Sequence, residues 1–318
     1  MNLLQEIADN NNIFKPVIYG IESTILSEEE KQFFSKSGCL GFIIFRRNIQ
    51  DKKQLKKLTD SLKELMGSEV LVLIDQEGGR VARLAPPIWP EYPSGSYFDN
   101  LYQKDKNKAK IEIYQNFQNI ATDLVEIGIN VNCAPILDIS YPETHEVIGN
   151  RAYGKLTQQI SELSLEVCSG LLSKNIYPVI KHIPGHGRAT CDSHLDLPRV
   201  DCSLDELRKF DFKPFQNLNQ QKFAMTAHIL YDAIDANNCA TTSKKAIDLI
   251  RNEIGFKNIL MSDDISMKAL KGNFSKRTIE TLNAGCDLIL HCNGNINEMQ
   301  EINDNLPLIS DELRAKFY

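Results

Sequence analysis

Eight short apolar runs, spaced along the chain with helical segments between them, constrain the fold of this sequence most strongly. Several runs are apolar at consecutive positions, as in parallel strands whose two faces are both buried. The runs are 16–21, 41–45, 70–75, 129–135, 177–182, 224–230, 259–263 and 288–292. The segments with helical character are 27–36, 52–66, 109–127, 158–174, 204–217, 243–253 and 276–284. Ser27 with Glu30, and Ser203 with Glu206, have the form of capping boxes and predict where two helices begin.

Strands that alternate with helices predict an α/β fold, and eight of them predict a closed (β/α)8 TIM-like barrel. The alternative is an open, doubly wound sheet, which usually carries a glycine-rich phosphate turn after its first strand. Residues 20–24, with the sequence GIEST, form no such turn. The 318 residues contain no Pro/Gly-rich linker, so we expect a single barrel domain over residues 1–318.

Composition and charge argue against several classes of function. The net charge is −6 without a block of like charges, so neither nucleic acid nor an anionic membrane surface is an expected partner. No apolar run approaches the roughly 20 residues that span a bilayer, and residues 1–16 lack the pattern of a secretory signal. The eight cysteines are scattered without a CxxC pair, which favours reduced thiols in a cytoplasmic protein. The oligomeric state is left open.

Polar residues lie at the ends of four predicted strands, where a barrel carries its chemistry. They are Asp75, Lys181 with His182, His228 and Asp263. Because the βα loops of a barrel converge at this rim, we expect these side chains to lie near one another. The sequence leaves the role of His228 open, and we interpret His145 and His291 as structural or surface residues.

The densest group of reactive side chains is the segment 181–198, KHIPGHGRATCDSHLDLP, which holds three of the six histidines. No helical pattern begins before about Ser203, so the segment predicts a long βα loop of the kind that forms lids or active sites. Asp192 and His194 are two residues apart, and a carboxylate beside an imidazole suits a general acid/base. A solvated polar loop is the alternative interpretation.

Two further strand ends carry carboxylates. In 259–267, ILMSDDISM, an ionised Asp263 could attack an anomeric carbon or stabilise an oxocarbenium ion. The alternative is that Asp263 and Asp264 cap the next helix or bind a lysine. In 74–84, IDQEGGRVARL, Asp75 and two arginines supply the acceptors and donors that sugar hydroxyls require. Taken alone, that segment is typical of a structural turn.

Five segments, in order, resemble those of glycoside hydrolase family 3, and in particular its single-domain bacterial β-N-acetylhexosaminidases. They are IDQEGGRVARL, NCAPILDI, IGNRAYG, KHIPGHGRATCDSHLDLP and MSDDISM, and the resemblance runs from residue 41 to residue 287. Three positions depart from the family pattern. Ile183 stands where phenylalanine is usual, Tyr153 stands near a common phenylalanine, and Glu22 stands where glycine is frequent. None of these changes touches a residue expected to transfer protons.

The resemblance implies hydrolysis of terminal β-linked N-acetylglucosamine by a retaining double displacement. Asp263 would be the nucleophile, and His194, with Asp192 as its partner, would be the general acid/base. The residues that would hold the non-reducing sugar are Asp75, Arg83, Arg151, Lys181 and His182. The implied substrate is N-acetylglucosaminyl-β-1,4-anhydro-N-acetylmuramic acid, with or without peptide, in peptidoglycan recycling. We expect neither a cofactor nor a metal ion.

Four alternatives stay open. The acetamido group of the substrate could attack in place of Asp263, and phosphate could replace water as acceptor, because an imidazole does not repel it as a carboxylate would. A metal-dependent hydrolase would use His182, His186, Asp192 and His194, although a Pro–Gly break keeps the first two off one helix face. A sugar-binding barrel without activity is the fourth alternative.

Overall fold

The predicted strands form one closed parallel barrel in the computed structural model, which describes residues 3–9, 14–67, 70–189 and 197–318. The barrel strands are β1 Lys15–Gly20, β2 Cys39–Ile44, β3 Leu71–Ile74, β4 Val131–Asn132, β5 Tyr177–Ile183, β6 Phe223–Thr226, β7 Ile259–Asp264 and β8 Leu288–His291. Each strand pairs in parallel with the next, and β8 closes on β1 with Val17 beside Ile289. The (β/α)8 prediction is confirmed, and the open sheet is excluded.

Helices surround the barrel and connect its strands. They are α1 Leu3–Asp9, α2 Glu28–Ser37, α3 Lys52–Met66, α4 Gly95–Lys104, α5 Lys106–Glu126, α6 Thr157–Leu172, α7 Leu204–Glu206, α8 Phe212–Asn217, α9 Lys244–Leu249, α10 Phe274–Ala284, α11 Ile296–Asp304 and α12 Asp311–Ala315. Widened π-helical turns follow α7 and α9, over Leu207–Asp211 and Ile250–Ile254. Both capping boxes are confirmed at Ser27 and Ser203. The helices α1, α4, α11 and α12 were not predicted.

Two pairs of short strands lie outside the barrel, and both come from its βα loops. Gln76–Gly78 pairs antiparallel with Val81–Ala82, directly after β3. Leu230–Tyr231 pairs in parallel with Arg199–Val200. The run predicted as a strand over 224–230 therefore ends early at Thr226, because the chain leaves the barrel there and joins a second sheet.

Both faces of the barrel strands are buried, which explains why their sequences are apolar at consecutive positions. In β1, Ile18 packs into the barrel interior, while Val17 and Tyr19 pack against the outer helices. The interior cluster also contains Leu4 of α1 and Leu313 of α12. The terminal helices thus close the N-terminal end of the barrel, and the opposite rim is left for a site. None of the helices in the described ranges is both long and apolar enough to cross a membrane.

Gly41 of β2 lies directly beside Leu71 of β3. A methyl group there would overlap the carbonyl oxygen of Leu71 and lie 2.7 Å from its Cβ. Gly41→Ala should therefore lower the free energy of unfolding in urea by about 1–3 kcal/mol, because the strands must separate. Gly67→Ala is the control: its φ is +63° but nothing lies within 4 Å, so only backbone strain of about 1 kcal/mol applies. A smaller loss for Gly41→Ala than for Gly67→Ala would contradict this account.

Candidate active site

A cavity of about 500 Å³ opens at the C-terminal ends of the barrel strands. Its volume falls in the range of pockets that bind small molecules. Six of the eight predicted site residues line it, and they are Asp75, Arg83, Arg151, Lys181, His182 and Asp263. The other two, Asp192 and His194, lie outside the described residues. The strands and loops therefore bring the described members of the predicted site to one cup.

Five charged side chains form an ion-pair network, and all of them except Glu77 line this cup. Lys181 Nζ lies 2.9 Å from Asp75 Oδ1 and 2.7 Å from Glu77 Oε1, and the lysine is 2% exposed. Arg83 donates to the other oxygen of Asp75 at 3.0 Å. Arg151 binds Glu77 through two hydrogen bonds of 2.7 and 2.8 Å. Positive and negative groups alternate along the network, so each carboxylate lies between two cations.

The charges of this network fix the protonation of its carboxyl groups. Burial alone would raise the pKa of Glu77, but Arg151 and Lys181 outweigh it and lower the pKa to about 2. Burial alone would also raise the pKa of Asp75, but Lys181 and Arg83 hold it well below the usual range. At neutral pH both carboxylates are ionised acceptors and all three cations are donors. Such a wall matches the hydroxyl groups of a sugar, which donate and accept hydrogen bonds.

The segment after β3 is both a tight turn and part of the site. Asn132 exchanges two hydrogen bonds with the backbone of Gln76, at 3.0 and 2.9 Å. The amide of Gln76 in turn exchanges two with the backbone of Leu84, both at 2.9 Å. Gly78 and Gly79 supply positive φ angles of 92° and 56° at the bend. These contacts hold the turn that presents Asp75 and its neighbours to the cavity.

Asp138 lies behind His182 and orients it. This carboxylate is fully buried and accepts from the Nδ1 atom of His182 at 2.7 Å and from the backbone N–H of His186 at 2.6 Å. Burial opposes ionisation, but the charge of His182 keeps the pKa of Asp138 below its usual value. An ionised partner at Nδ1 places a proton there and leaves Nε2 for a ligand. Sequence reasoning missed Asp138 as a functional residue, although it stands in the segment NCAPILDI that carried the resemblance.

His186 does not line the cavity. Its ring makes an edge contact with His182, with centroids 5.5 Å apart. Burial and the neighbouring His182 lower the pKa of His186 to about 4, so the ring is neutral at neutral pH. Within the described ranges, no three His, Cys, Asp or Glu side chains are grouped to hold a metal ion. Two of the four residues in the metal alternative, Asp192 and His194, fall outside those ranges.

The two aspartates at the end of β7 have different contacts. The carboxylate of Asp264 accepts from the backbone N–H and the hydroxyl of Ser266, at 2.9 and 2.6 Å, and from the N–H of Cys292 at 3.1 Å. Asp263 lines the cavity, and one of its oxygens accepts from the N–H of Asp264 at 2.7 Å. Neither aspartate caps the next helix, since α10 begins at Phe274 and Asn273 is its N-cap. Both aspartates line the cavity, Asp264 with its carboxylate bound by the loops and Asp263 with its carboxylate oriented by the N–H of Asp264.

The remaining histidines have contacts within the protein. His228 is fully buried behind β7, where its Nε2 atom lies 2.9 Å from the carbonyl oxygen of Asp264. Burial would lower the pKa of His228, but Cys239 and the charge of Asp263 raise it to about 8. His291 lies 2.9 Å from Glu298, and His145 accepts from the N–H of Val147.

Residues 17–316 match the glycosyl hydrolase family 3 N-terminal domain. The chain belongs to this family. It is 34% identical over 307 residues to the β-hexosaminidase of Neisseria gonorrhoeae, a match that covers 95% of this chain and 81% of that protein. The family predicted from the five segments is confirmed, and the protein is a glycoside hydrolase.

Solved structures of similar proteins have the same fold. NagZ from Neisseria gonorrhoeae, in complex with N-trifluoroacetyl-D-glucosamine, aligns with a TM-score of 0.88 at 33% identity, over 96% of this chain and 89% of that one. A family 3 β-N-acetylglucosaminidase from a Paenibacillus species aligns with a TM-score of 0.82 at 27% identity. That alignment covers 99% of this chain and 58% of the other.

The lowered pKa of Glu77 predicts how stability depends on pH. The pKa of Glu77 in the folded protein, about 2, lies below the ordinary value of 4.5. Its ion pairs therefore contribute their full stabilisation when the pH is above 4.5. This stabilisation is lost as the pH falls through the folded value. Urea unfolding should be measured between pH 7 and pH 3. At pH 7 the free energy of unfolding of Glu77→Gln should be about 3–5 kcal/mol below that of the wild type. It should then decrease less than that of the wild type as the pH falls.

Glu126→Gln is the control for this measurement. Glu126 pairs with Lys52 at the surface, at 2.8 Å, and an exposed pair contributes at most about 1 kcal/mol. The free energy of unfolding of this variant should stay close to that of the wild type at every pH. If Glu77→Gln also ran parallel to the wild type, Arg151 and Lys181 would not be the cause of the ionisation of Glu77.

Proposed function

We propose that this protein is a β-N-acetylhexosaminidase that hydrolyses terminal, non-reducing β-linked N-acetylglucosamine. The observation that carries the proposal is that four members of the ion-pair network, Asp75, Arg83, Arg151 and Lys181, line the same cup as the carboxylate of Asp263. The network supplies paired donors and acceptors for the sugar, and Asp263 supplies a nucleophile for it. The β-hexosaminidase relative and the N-acylated glucosamine bound to the similar Neisseria gonorrhoeae structure support this choice of sugar.

Asp263 acts first in the proposed mechanism. Its carboxylate attacks the anomeric carbon, the bond to the leaving oxygen breaks, and a glycosyl–enzyme ester forms. The hydrogen bond from the N–H of Asp264 holds one carboxylate oxygen and so sets the plane of the nucleophile. Water then attacks the ester from the other face, which restores the β configuration by a second inversion.

His194, with Asp192 as its partner, is the proposed general acid/base. It would protonate the leaving oxygen and later take a proton from the attacking water. The assignment rests on the resemblance to the family, and both residues lie outside the described ranges. The described residues on either side are well held: the carbonyl of Ala189 accepts from His145 N at 3.2 Å, and that of Pro198 accepts from Leu230 N at 2.9 Å. His182 is not proposed for this role, because its Nδ1 atom is hydrogen-bonded to Asp138.

We further propose that the natural aglycone carries carboxylates, as in N-acetylglucosaminyl-1,6-anhydro-N-acetylmuramic acid with or without peptide. Arg47 and Arg80 belong to the cavity wall, and the hydrogen bonds of their guanidinium groups run to neutral oxygens. Arg47 donates to the carbonyls of Ile21 and Cys292, and Arg80 to the carbonyl of Val147 and the side chain of Asn150. These positive charges favour a lactyl or peptide carboxylate over a neutral sugar.

The proposed role is the recycling of peptidoglycan fragments in the cytoplasm, with residues 1–318 acting as one domain. The seven cysteines of the described ranges are free thiols, and all seven lie in or against the core of the barrel and its helices. Thiols that persist unpaired fit a reducing compartment. The substrate proposed above is a small molecule that would reach the cup from solution, without nucleic acid or membrane as a partner.

Activity and nucleophile can be tested together. The purified protein should release the aryl group of a chromogenic β-N-acetylglucosaminide and yield free N-acetylglucosamine, even in phosphate buffer. A 2-fluoro glycoside should leave a covalent label on Asp263, measured by mass spectrometry of peptides. Asp263→Asn should lower kcat by about 10³-fold or more without changing thermal stability, because the amide cannot attack the anomeric carbon.

Asp60→Asn is the matched control, because Asp60 is an exposed carboxylate paired with Lys56 on α3. It should retain wild-type kinetics. N-acetylglucosamine 1-phosphate as the product would make the protein a phosphorylase instead. An active enzyme without label at Asp263 would favour attack by the acetamido group, and a folded protein inactive on β-N-acetylglucosaminides would overturn the proposal.

The aglycone proposal has its own test. Arg80→Ala should lower kcat/KM for N-acetylglucosaminyl-anhydromuramyl peptide by about 5- to 20-fold, because one charge-assisted contact to the carboxylate is lost. With the neutral disaccharide N,N′-diacetylchitobiose, the same variant should stay within about 2-fold of the wild type. Lys57→Ala, which removes an exposed positive charge from α3, is the control. Equal effects of Arg80→Ala on both substrates would exclude recognition of the aglycone charge.

A further inference from the structure

Asp264 connects the proposed nucleophile to the protein around it. Its backbone N–H donates to Asp263 Oδ1 at 2.7 Å. Its own carboxylate is held by Ser266 and by the N–H of Cys292, on the loop after β8. The orientation of the Asp263 carboxylate therefore depends on how the backbone of Asp264 is held.

His228 holds that backbone from the side of β6. Its Nε2 atom lies 2.9 Å from the carbonyl oxygen of Asp264. A carbonyl oxygen can only accept, so Nε2 carries the proton and donates. His228 follows β6 in the sequence MTAH, and β6 pairs with β7 through Met225 beside Met261. The imidazole thus fastens the end of β7 to the neighbouring strand.

A pair of threonine hydroxyls completes this connection. The Nδ1 atom of His228 lies 2.7 Å from Thr241 Oγ1, which lies 2.8 Å from Thr226 Oγ1. The hydroxyl of Thr226 accepts from the backbone N–H of Asp263 at 3.4 Å. His228, Thr241 and Thr226 are all buried from solvent. The same three side chains therefore contact the backbone on both sides of the Asp263 carboxylate, at the N–H of Asp263 and the C=O of Asp264.

We propose that His228 is a positioning residue, which fixes the carboxylate of Asp263 by holding the backbone of Asp264. The inference rests on the proposed role of Asp263 as nucleophile. His228 is not among the residues that line the cavity, so it acts through Asp264 rather than on the substrate. The same carbonyl also accepts from the N–H of Met267, at 3.1 Å, within the loop after β7. Without His228, the backbone of Asp264 loses its hydrogen bond to the residue that follows β6 and can shift, and the N–H that orients Asp263 shifts with it.

Such a role affects the transition state more than the bound substrate. The sugar is held by the ion-pair network on the other side of the cup, whereas Asp263 must meet the anomeric carbon along the line of attack. A misplacement of about 1 Å in a reacting group is sufficient to lower a rate about 100-fold. Loss of His228 should therefore lower kcat and change KM little.

The test compares His228→Phe with His228→Gln. Phenylalanine fills the space without a donor, whereas the amide nitrogen of glutamine can still donate to the carbonyl of Asp264. With an aryl β-N-acetylglucosaminide, His228→Phe should lower kcat by about 10- to 100-fold with KM within about 3-fold of the wild type. The rate of labelling by the 2-fluoro glycoside should fall by the same factor. His228→Gln should recover most of both rates.

Two other variants serve as matched comparisons. Thr241→Val keeps the shape of the side chain and removes the hydroxyl, so it should lower kcat in the same way as His228→Phe. It also provides the test if His228→Phe does not fold. His291→Phe replaces an equally buried histidine at the end of β8, one that pairs with Glu298 instead. It should lower thermal stability and leave kcat within about 2-fold of the wild type.

Three results would overturn the positioning role: a kcat of His228→Phe within about 2-fold of the wild type, an equal loss in His228→Gln, or an equal loss in His291→Phe. Failure of the proposed function itself would look different. In that case the wild type would carry no label at Asp263. A wild type that is labelled, together with a His228→Phe variant labelled equally fast, would reject only the positioning role.

Discussion

The ammonium group of Lys181 lies between the carboxylates of Asp75 and Glu77, and the arrangement of the cup follows from this contact. Lys181 is in β5 and the two carboxylates follow β3, so the ion pairs join strand ends on either side of β4. Glu77 then holds Arg151, and Asp75 holds Arg83. A buried charge costs several kcal/mol of lost hydration, and alternation of sign along the network offsets this cost. Removal of Glu77 would leave Arg151 without its carboxylate partner and Lys181 with only Asp75.

This network lets the protein keep a sugar site assembled before the sugar arrives. Donors and acceptors that are already oriented do not need to reorganise when charge develops in the transition state. The two sides of the cup are held in different ways. On the sugar-binding side, ion pairs and the Asn132 and Gln76 amides fix the groups. On the side of Asp263, hydrogen bonds to the backbone of β7 fix the carboxylate.

Much of the fold could be predicted from the sequence, because strands buried on both faces leave a local pattern of consecutive apolar residues. All eight strands and seven helical segments were predicted in the correct order. The strand after residue 224 was predicted too long, since its apolar pattern continues after the chain has left the barrel to pair with Arg199–Val200. The helices α1, α4, α11 and α12 were missed because each has ten residues or fewer, too short for a repeated helical pattern of apolar residues. The described residues of the predicted site all line one cavity, yet Glu77 and Asp138 were overlooked.

What the sequence by itself determined was the number and order of the strands, the family, and the types of side chain at the barrel rim. These are recorded in local patterns of hydrophobicity and in short segments of neighbouring residues. Only the tertiary structure decided which charges pair, since Lys181 meets Asp75 across 106 positions of sequence and Arg151 meets Glu77 across 74. It also distinguished the two adjacent aspartates at the cavity: the carboxylate of Asp264 is bound by Ser266 and Cys292, whereas that of Asp263 accepts from the N–H of Asp264. Coulomb forces and hydrogen bonds depend on distance in space, and a linear pattern of residues does not contain that distance.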